Sequence, residues 1–541
     1  MDLQPHSEPE STVVFTTNNT DSAAYAGAFF SRATRFNICG GVFTSNVTNN
    51  VYNPPSEPPT AFRTVLLGDI NLIKEFKEMR SGPQSSLVGR QIPGASVRRV
   101  YMAKIEGRES GYMTVAVYEG DGAEEAWSQH LASYESIRHP HIMQLYGLVR
   151  TRRLRGMVFH DALVPYGQFL RRFQHSPILS TYIIGYCTME FREATKYMLD
   201  AFPKFSMNYD KMPVWIRPST GELCLDLAQG WPGTRFELPW WQVRILRLEN
   251  VSLDAPDSED MIISSLREDQ YHKLCSGYPV ARFRCFQVST EHLVGPGIFR
   301  LDSQYGTCTR ITEPLVLPEE ELCWNWNQDG AGELLANSWI RYDFRRTRTL
   351  ALVLQFSFRS YEIPKTWLAQ ANRIFAELEE EAHLADYVCV DRVQFILRCS
   401  PNKRHIDAEG YLFVCPPRDF HSDNKARANL YQWPHCPAYW SLDASGADRL
   451  TTEDARIFGF PAIHTETMIV GRSWDRNVYR GLRRFHQGKG FNPDGAEVLR
   501  QLGYTRYEVL NNRVPFPARN LERYSCREQD PGLCRELGHY L

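Results

Sequence analysis

The chain has no apolar run that approaches the roughly 20 residues a membrane-spanning helix requires. The nearest, residues 350–358, reads as a buried strand. An excess of either charge is missing too: 61 Lys and Arg against 63 Asp and Glu leave a formal net charge of -2. No global field therefore favours nucleic acid or an acidic membrane surface, and neither is expected as a partner. There is no C-x-x-C or H-E-x-x-H spacing, no G-x-S-x-G elbow and no Walker loop. Zinc ribbons, zincin proteases, serine hydrolases and P-loop NTPases are thereby excluded as readings. His421, His435 and Cys436 lack metal-ligand spacing, so neither a metal nor a cofactor is expected. The 13 cysteines are odd in number and scattered. The opening M-D-L-Q-P-H-S-E-P-E is acidic and polar, unlike a signal peptide. Reduced thiols in the cytoplasm are expected, with the nucleus as the other possibility.

What is present is a globular composition, 43% hydrophobic and 23% charged over 541 residues, long enough for more than one core. Residues 1–60 are polar and poor in large aliphatics, and a disordered tail is expected there. It includes a short Gly-Gly and Asn-rich segment at 36–50 and ends in the proline-rich stretch P-P-S-E-P-P at 54–59. Beyond it, Val100, Tyr101, Ala103 and Ile105, then 114–118, read as two strands joined by a loop holding Gly107 and Gly111. Trp127, Leu131, Tyr134 and Ile137 recur at helical spacing, which predicts a helix over 122–137 with that face inward and Asp121 as its N-cap. His139-Pro140 stops it. Residues 142–149 and 156–159 read as two more strands. A long amphipathic helix is predicted from 179 to 202, and a hairpin over 215–227.

In that order these segments resemble the N-terminal lobe of a protein kinase and the first part of its C-lobe. The positions that carry phosphoryl transfer in that family are changed. Glycine-loop glycines fall at Pro93, Ala95 and Arg98, the strand lysine at Tyr118, and the helix glutamate at His130. The H-R-D loop is absent, and L-C-L-D-L-A, with Asp226, stands in place of D-F-G. Losing all of these removes the positioning and charge stabilisation on which transfer depends. The resemblance thus implies a degenerate, pseudokinase-like lobe over 61–228 with no catalytic or cofactor-binding residues.

Residues 229–400 read as an α+β region of unassigned type, with helices over 260–275 and 366–385 and strands including 243–248, 283–288, 350–358 and 387–397. Residues 401–541 read as an aromatic-rich, helical C-terminal region. Helices are predicted after Thr451, over 474–485, and from an Asn492-Pro493 cap to Gly503. This order of segments is similar to that of a large family of proteins from mushroom-forming fungi, which implies an architecture and no activity. The expected fold class is α+β: a kinase-like N-lobe and partial C-lobe, then fungal-specific α+β and short helical regions. The expected function is a non-catalytic binding or scaffolding module with a protein partner. The alternative is a divergent ATP-binding kinase using Lys104, Asp210 and Asp226. Trp433, Tyr439, Trp440 and Trp474 are the candidate partner-binding residues, since exposed aromatics dominate binding hot spots. The competing reading of the same four is core filling.

Overall fold

The computed structural model describes residues 62–76, 97–108, 111–201, 212–228, 244–249, 252–315, 324–326, 332–344, 350–358, 362–399, 409–421 and 429–521. The predicted tail over 1–60, the loop positions Pro93 and Ala95, and Asp210 lie outside them. The architecture is α+β.

Six strands form the first sheet: β1 (Arg63–Thr64), β2 (Ile70–Glu75), β3 (Val97–Ile105), β4 (Met113–Glu119), β5 (Leu145–Arg150) and β6 (Arg155–Phe159). Their spatial order is β1-β5-β6-β4-β3-β2. The two edge strands β1 and β2 are joined by one 3-10 turn, Leu67–Asp69. The sheet therefore curls until its edges meet, as a barrel does. Alternation along β4 sends Val115 and Val117 inward and Ala116 and Tyr118 outward. The interior holds Val65, Ala103, Ile105, Met113, Val115, Val117, Val149 and Val158, mostly β-branched side chains that suit a pleated surface.

The helix α1 (Ala123–Ser136) packs on the outer face of this sheet. Trp127, Leu131 and Tyr134 are buried, on the face the spacing predicts. The Trp127 indole N–H donates to the Gly156 carbonyl at 3.2 Å. Asp121 does not cap the helix. Gly122, at φ +79°, is the N-cap, and no side chain accepts from the first turn. The Gly120-Asp121-Gly122 turn has left-handed backbone at both glycines and closes through Ala123 N–H to Gly120 O. Glycine takes that conformation without steric cost.

After β6 come β7 (Val164–Pro165), α2 (Tyr166–Arg172) and α3 (Pro177–Ala201), then the predicted hairpin as β8 (Val214–Ile216) and β9 (Leu223–Leu225). Leu225 bridges to Ile142, which ties the hairpin to the His139-Pro140 corner.

The larger sheet was not foreseeable as one object. The remaining strands are β10 (Arg282–Val288), β11 (Gly297–Asp302), β12 (Thr307–Arg310), β13 (Trp324–Trp326), β14 (Glu333–Leu334), β15 (Ile340–Asp343), β16 (Leu350–Ser357), β17 (Tyr387–Cys399), β18 (Tyr411–Val414), β19 (Ala438–Ser441), β20 (Ile463–Ser473) and β21 (Phe516–Asn520). Eight of them pair in the order β11-β12-β21-β10-β20-β17-β16-β13, and β14-β15-β18-β19 form a second sheet. Both sheets draw strands from 229–400 and from 401–541, so these two segments share their sheets. The C-terminal segment has four strands beside its helices. β17 is buried along almost its whole length, as a central strand covered on both faces should be. Asp391, at a bulge in β17, pairs with Arg472 on β20 at 3.0 Å.

Several predicted elements differ in detail. The helix predicted over 260–275 is two, α4 (Ser258–Ser265) and α5 (Glu268–Cys275). Leu266 turns extended and buries its side chain between them. The helix predicted over 366–385 is also two, α6 (Ile363–Leu368) and α7 (Ala371–Glu377). The break is at Gln370, whose buried carboxamide accepts from Tyr507 N–H at 2.9 Å and donates to Thr505 O at 3.0 Å. The described residues of 243–248 form no strand. Thr451 does cap α8 (Thr452–Ile457), accepting from Asp454 N–H. α9 (Arg476–Gly488) is capped by Asp475. α10 (Glu497–Leu502) starts after Ala496, later than predicted, and ends at Gly503 in the left-handed region.

A buried pair joins α5 to α9. His272 Nε2 lies 2.8 Å from His486 Nε2, and both rings are almost fully enclosed. Burial pushes His486 down to about 4. Burial, then His486 and Lys365, hold His272 well below its usual 6.5. The unfolded chain takes up these protons near pH 6.5, whereas the folded pair resists them to much lower pH. The pair's contribution is therefore intact above about pH 6.5 and is lost as pH falls towards about 4. The urea midpoint of the native chain should fall more steeply between about pH 7 and 4.5 than that of His272→Asn/His486→Asn. Parallel slopes would show that the pair does not titrate this way.

Candidate functional site

A buried cluster of titratable side chains lies where α1, the start of β3, the end of β4 and the residue after β9 converge. β3 contributes Arg98, β4 Tyr118, α1 His130 and Tyr134, and the turn out of β9 Asp226. The register explains the first contact, because Arg98 sits directly opposite Tyr118 in the β3–β4 pair. Helical spacing explains another: His130 and Tyr134 are four residues apart and share a face.

Arg98 and Asp226 form a two-pronged ion pair, Nη1 to Oδ2 at 2.8 Å and Nη2 to Oδ1 at 3.2 Å. The side chains are 9% and 0% exposed. Tyr134 donates its hydroxyl to Asp226 Oδ1 at 2.6 Å and accepts from Leu227 N–H at 2.9 Å. Ala228 N–H donates to Oδ1 at 3.0 Å. The carboxylate thus accepts four hydrogen bonds, three on Oδ1 and one, from Arg98, on Oδ2. On the other side, Arg98 Nε donates to the Tyr118 hydroxyl at 3.1 Å. That hydroxyl lies 2.9 Å from His130 Nδ1. The Tyr118 hydroxyl thus lies between the Arg98 donor and the His130 ring nitrogen.

The electrostatics agree with this geometry. Burial works against the Arg98 charge, but Asp226, Tyr118 and Tyr134 outweigh it and raise its pKa. Burial, then Arg98, lowers His130 and so disfavours its charged form. Burial pushes Tyr118 up to about 12 against the pull of Arg98. Burial and the Asp226 charge raise Tyr134 well above the phenol range. The cluster is a buried network in which the one ion pair neutralises itself.

Arg98, Tyr118, His130 and Asp226 are the residues that the sequence resemblance singled out at changed positions, and the fold brings all four together. Tyr134 was missed as a member. Its signal was the four-residue spacing from His130 beside an otherwise unpaired acid. Lys104 stays apart. It lies six residues along β3 from Arg98, about 20 Å at strand spacing, with its ammonium over the Tyr112 ring at 5.2 Å. Among the described residues, no group of three or more His, Cys, Asp or Glu could hold a metal ion.

The four aromatic candidates do not meet. Trp474 is fully buried and donates to the Cys275 carbonyl at 2.7 Å. Trp440, also buried, stacks on Phe460 at 4.7 Å and donates to Pro461 O at 3.0 Å. Trp433 is half-buried between Phe395 and Phe420 and donates to Thr467 Oγ1 at 3.0 Å. Tyr439 is half-buried on the opposite face of β19 from Trp440, stacked on Phe413 at 5.1 Å with Arg449 4.3 Å from its ring centre.

No protein-family model matches the chain, and no curated protein matches it. No helix among the described residues is long and apolar enough to cross a membrane.

Proposed function

We propose that this chain is a catalytically inactive, kinase-like protein that serves as a binding or scaffolding module in the cytoplasm. One observation carries the reading. Positions that the kinase resemblance assigns to a glycine, the strand lysine, the helix glutamate and the metal-binding aspartate are far apart in sequence, up to 128 residues for Arg98 and Asp226. In the fold they form one network. The insertion of α1 between β4 and β5 of one sheet, and the place of Asp226 directly after a hairpin, support the same reading.

The residues present do not fit a magnesium–nucleotide. In a kinase a lysine pairs with the phosphates and with a helix glutamate, and an aspartate holds the metal. Here Tyr118 and His130 make a neutral hydrogen bond. Asp226 is fully buried and holds the Arg98 guanidinium on both oxygens, so a metal ion there would have to displace or face that cation. The divergent-kinase alternative needs Lys104 beside Asp226, and Lys104 points elsewhere.

Millimolar Mg-ATP should therefore leave the melting temperature unchanged. A ligand at 100 times its dissociation constant would add about 2.7 kcal/mol, which a thermal-shift assay detects. A saturable stabilisation would overturn the proposal in favour of the ATP-binding alternative.

A further inference from the structure

On the curled sheet, away from the Arg98 network, arginines gather around one tyrosine. Arg63, on β1, donates from Nη1 to the Tyr146 hydroxyl at 2.8 Å. Arg108, in the turn after β3, lies with its guanidinium carbon 4.7 Å from the Tyr146 ring centre. His160 meets the same ring edge-on at 5.2 Å. Arg138 rests on Phe62, the neighbour of Arg63, at 5.0 Å, and is close enough to His160 to act on its proton affinity. The three residues are exposed, and none makes an ion pair among the described residues. Asp161, the residue after His160, is occupied by Arg217 at 2.8 Å.

Such an arrangement is unusual in a chain whose net charge is -2. Charge here is concentrated rather than spread. Like charges held together without counter-charge repel, and the aromatic rings of Tyr146 and Phe62 hold them in place by cation–π contact. A compact group of guanidiniums with a hydroxyl and an imidazole complements one tetrahedral dianion, by forked charge-assisted hydrogen bonds. A nucleic-acid backbone would call for a basic stripe of some length instead.

We propose that the Arg63–Arg108–Arg138 cluster around Tyr146 binds a phosphorylated side chain of a protein partner. The surroundings favour a peptide over a free anion. The cluster is open, so a small ion would gain little from enclosure. Leu66 and Leu67, 66% and 48% exposed, follow Arg63 directly. The Glu106 N–H to Asp69 O bond brings the Arg108 turn against the end of the Leu67–Asp69 turn. A phosphoryl group on the arginines would leave the flanking peptide over these leucines. The site uses none of the residues in the Arg98 network, so its test is independent of the Mg-ATP result.

The full-length chain is tested against degenerate peptide pools centred on phosphoserine, phosphothreonine or phosphotyrosine, each beside its unphosphorylated twin. At least one phosphorylated pool should bind about tenfold or more tightly than its twin. Arg63→Gln/Arg108→Gln should lose that preference by at least about tenfold, the scale of lost charge-assisted hydrogen bonds. Arg519→Gln, at an exposed arginine elsewhere, should keep it. If the double variant does not fold, Arg138→Gln alone should weaken binding at an unchanged melting temperature. Equal binding of twins, no binding by any pool, or full binding by the arginine variants would overturn the proposal. Inorganic sulfate, dianionic throughout the useful pH range, is the last arm. If it saturates the site as tightly as the best pool, the ligand is a free anion and the partner assignment falls.

Discussion

Asp226→Ala should destabilise the fold by about 3–5 kcal/mol, read from urea denaturation, because it removes one partner of a buried ion pair and strands the other. Arg98, with its side chain 9% exposed, would keep its charge without a counter-ion. Tyr134 would lose its acceptor and Ala228 N–H its only side-chain partner. The cost is set by stranded polar groups more than by the pair's own worth. Arg98→Met/Asp226→Leu should therefore recover most of the loss, since an apolar pair of similar volume removes both charges together. Tyr134→Phe should fall between, at about 1.5–3 kcal/mol, the usual worth of a hydrogen bond to a charged group. An Asp226→Ala variant within about 1 kcal/mol of the native chain would mean that the network is not buried as described. A double variant as unstable as the single would mean that the pair, rather than its breakage, matters.

The legibility of the chain differs sharply between its halves, and the reason is range. From 97 to 159 the fold is built of neighbours in sequence. The β-branched and aromatic run at 114–118, the helical spacing of Trp127, Leu131 and Tyr134, and the stop at Pro140 each act within a few residues. Those features were readable and the buried face of the helix came out as expected, although its cap did not. The eight-stranded sheet is built otherwise. β10 pairs with β20, Cys285 opposite Val470, and β12 with β21, Cys308 opposite Phe516. No local period encodes which distant strand is the neighbour. Where tertiary contacts override local propensity, the predicted helices broke: at Leu266, which is buried in the core, and at Gln370, which holds the segment around Tyr507.

The candidate site was half legible for the same reason. Counting along the kinase-like order identified Arg98, Tyr118, His130 and Asp226 as replacements, one by one. That the replacements bond to one another was not in the counting. An arginine at a glycine position and an acid retained near its usual place are complementary charges, and that was the available clue. The aromatic segment misled in the opposite direction. Density of tryptophan around 433–440 and at 474 suggested a surface, because such residues dominate hot spots. Large aromatics with a polar handle serve a core equally well when the handle finds a carbonyl. Trp440 and Trp474 each found one.

Trp474→Ala should accordingly cost about 3–5 kcal/mol, the scale for emptying a buried aromatic site. Trp474 follows β20 directly and packs beside Tyr479 of α9, 6.4 Å between ring centres. Its N–H to Cys275 O bond reaches the end of α5. The indole therefore joins the large sheet to two helices, and removing it leaves a cavity and an orphaned carbonyl together. Trp440→Ala should cost a similar amount, because Phe344 and Phe460 both lose their ring partner. Tyr439→Ala should cost clearly less, since its ring is half-exposed and its hydroxyl bond, at 3.3 Å, is long. The ordering separates the two readings of the aromatic segment. If Trp474→Ala or Trp440→Ala leaves the denaturation midpoint in place, those rings are not core and a partner surface there becomes the better account. If both unfold the chain readily while Tyr439→Ala and Trp433→Ala do not, only the two half-buried rings remain available to a partner. They are separated by the packing of Trp433 against Phe395 and of Tyr439 against Phe413, so a partner would meet them as single contacts rather than as one aromatic face.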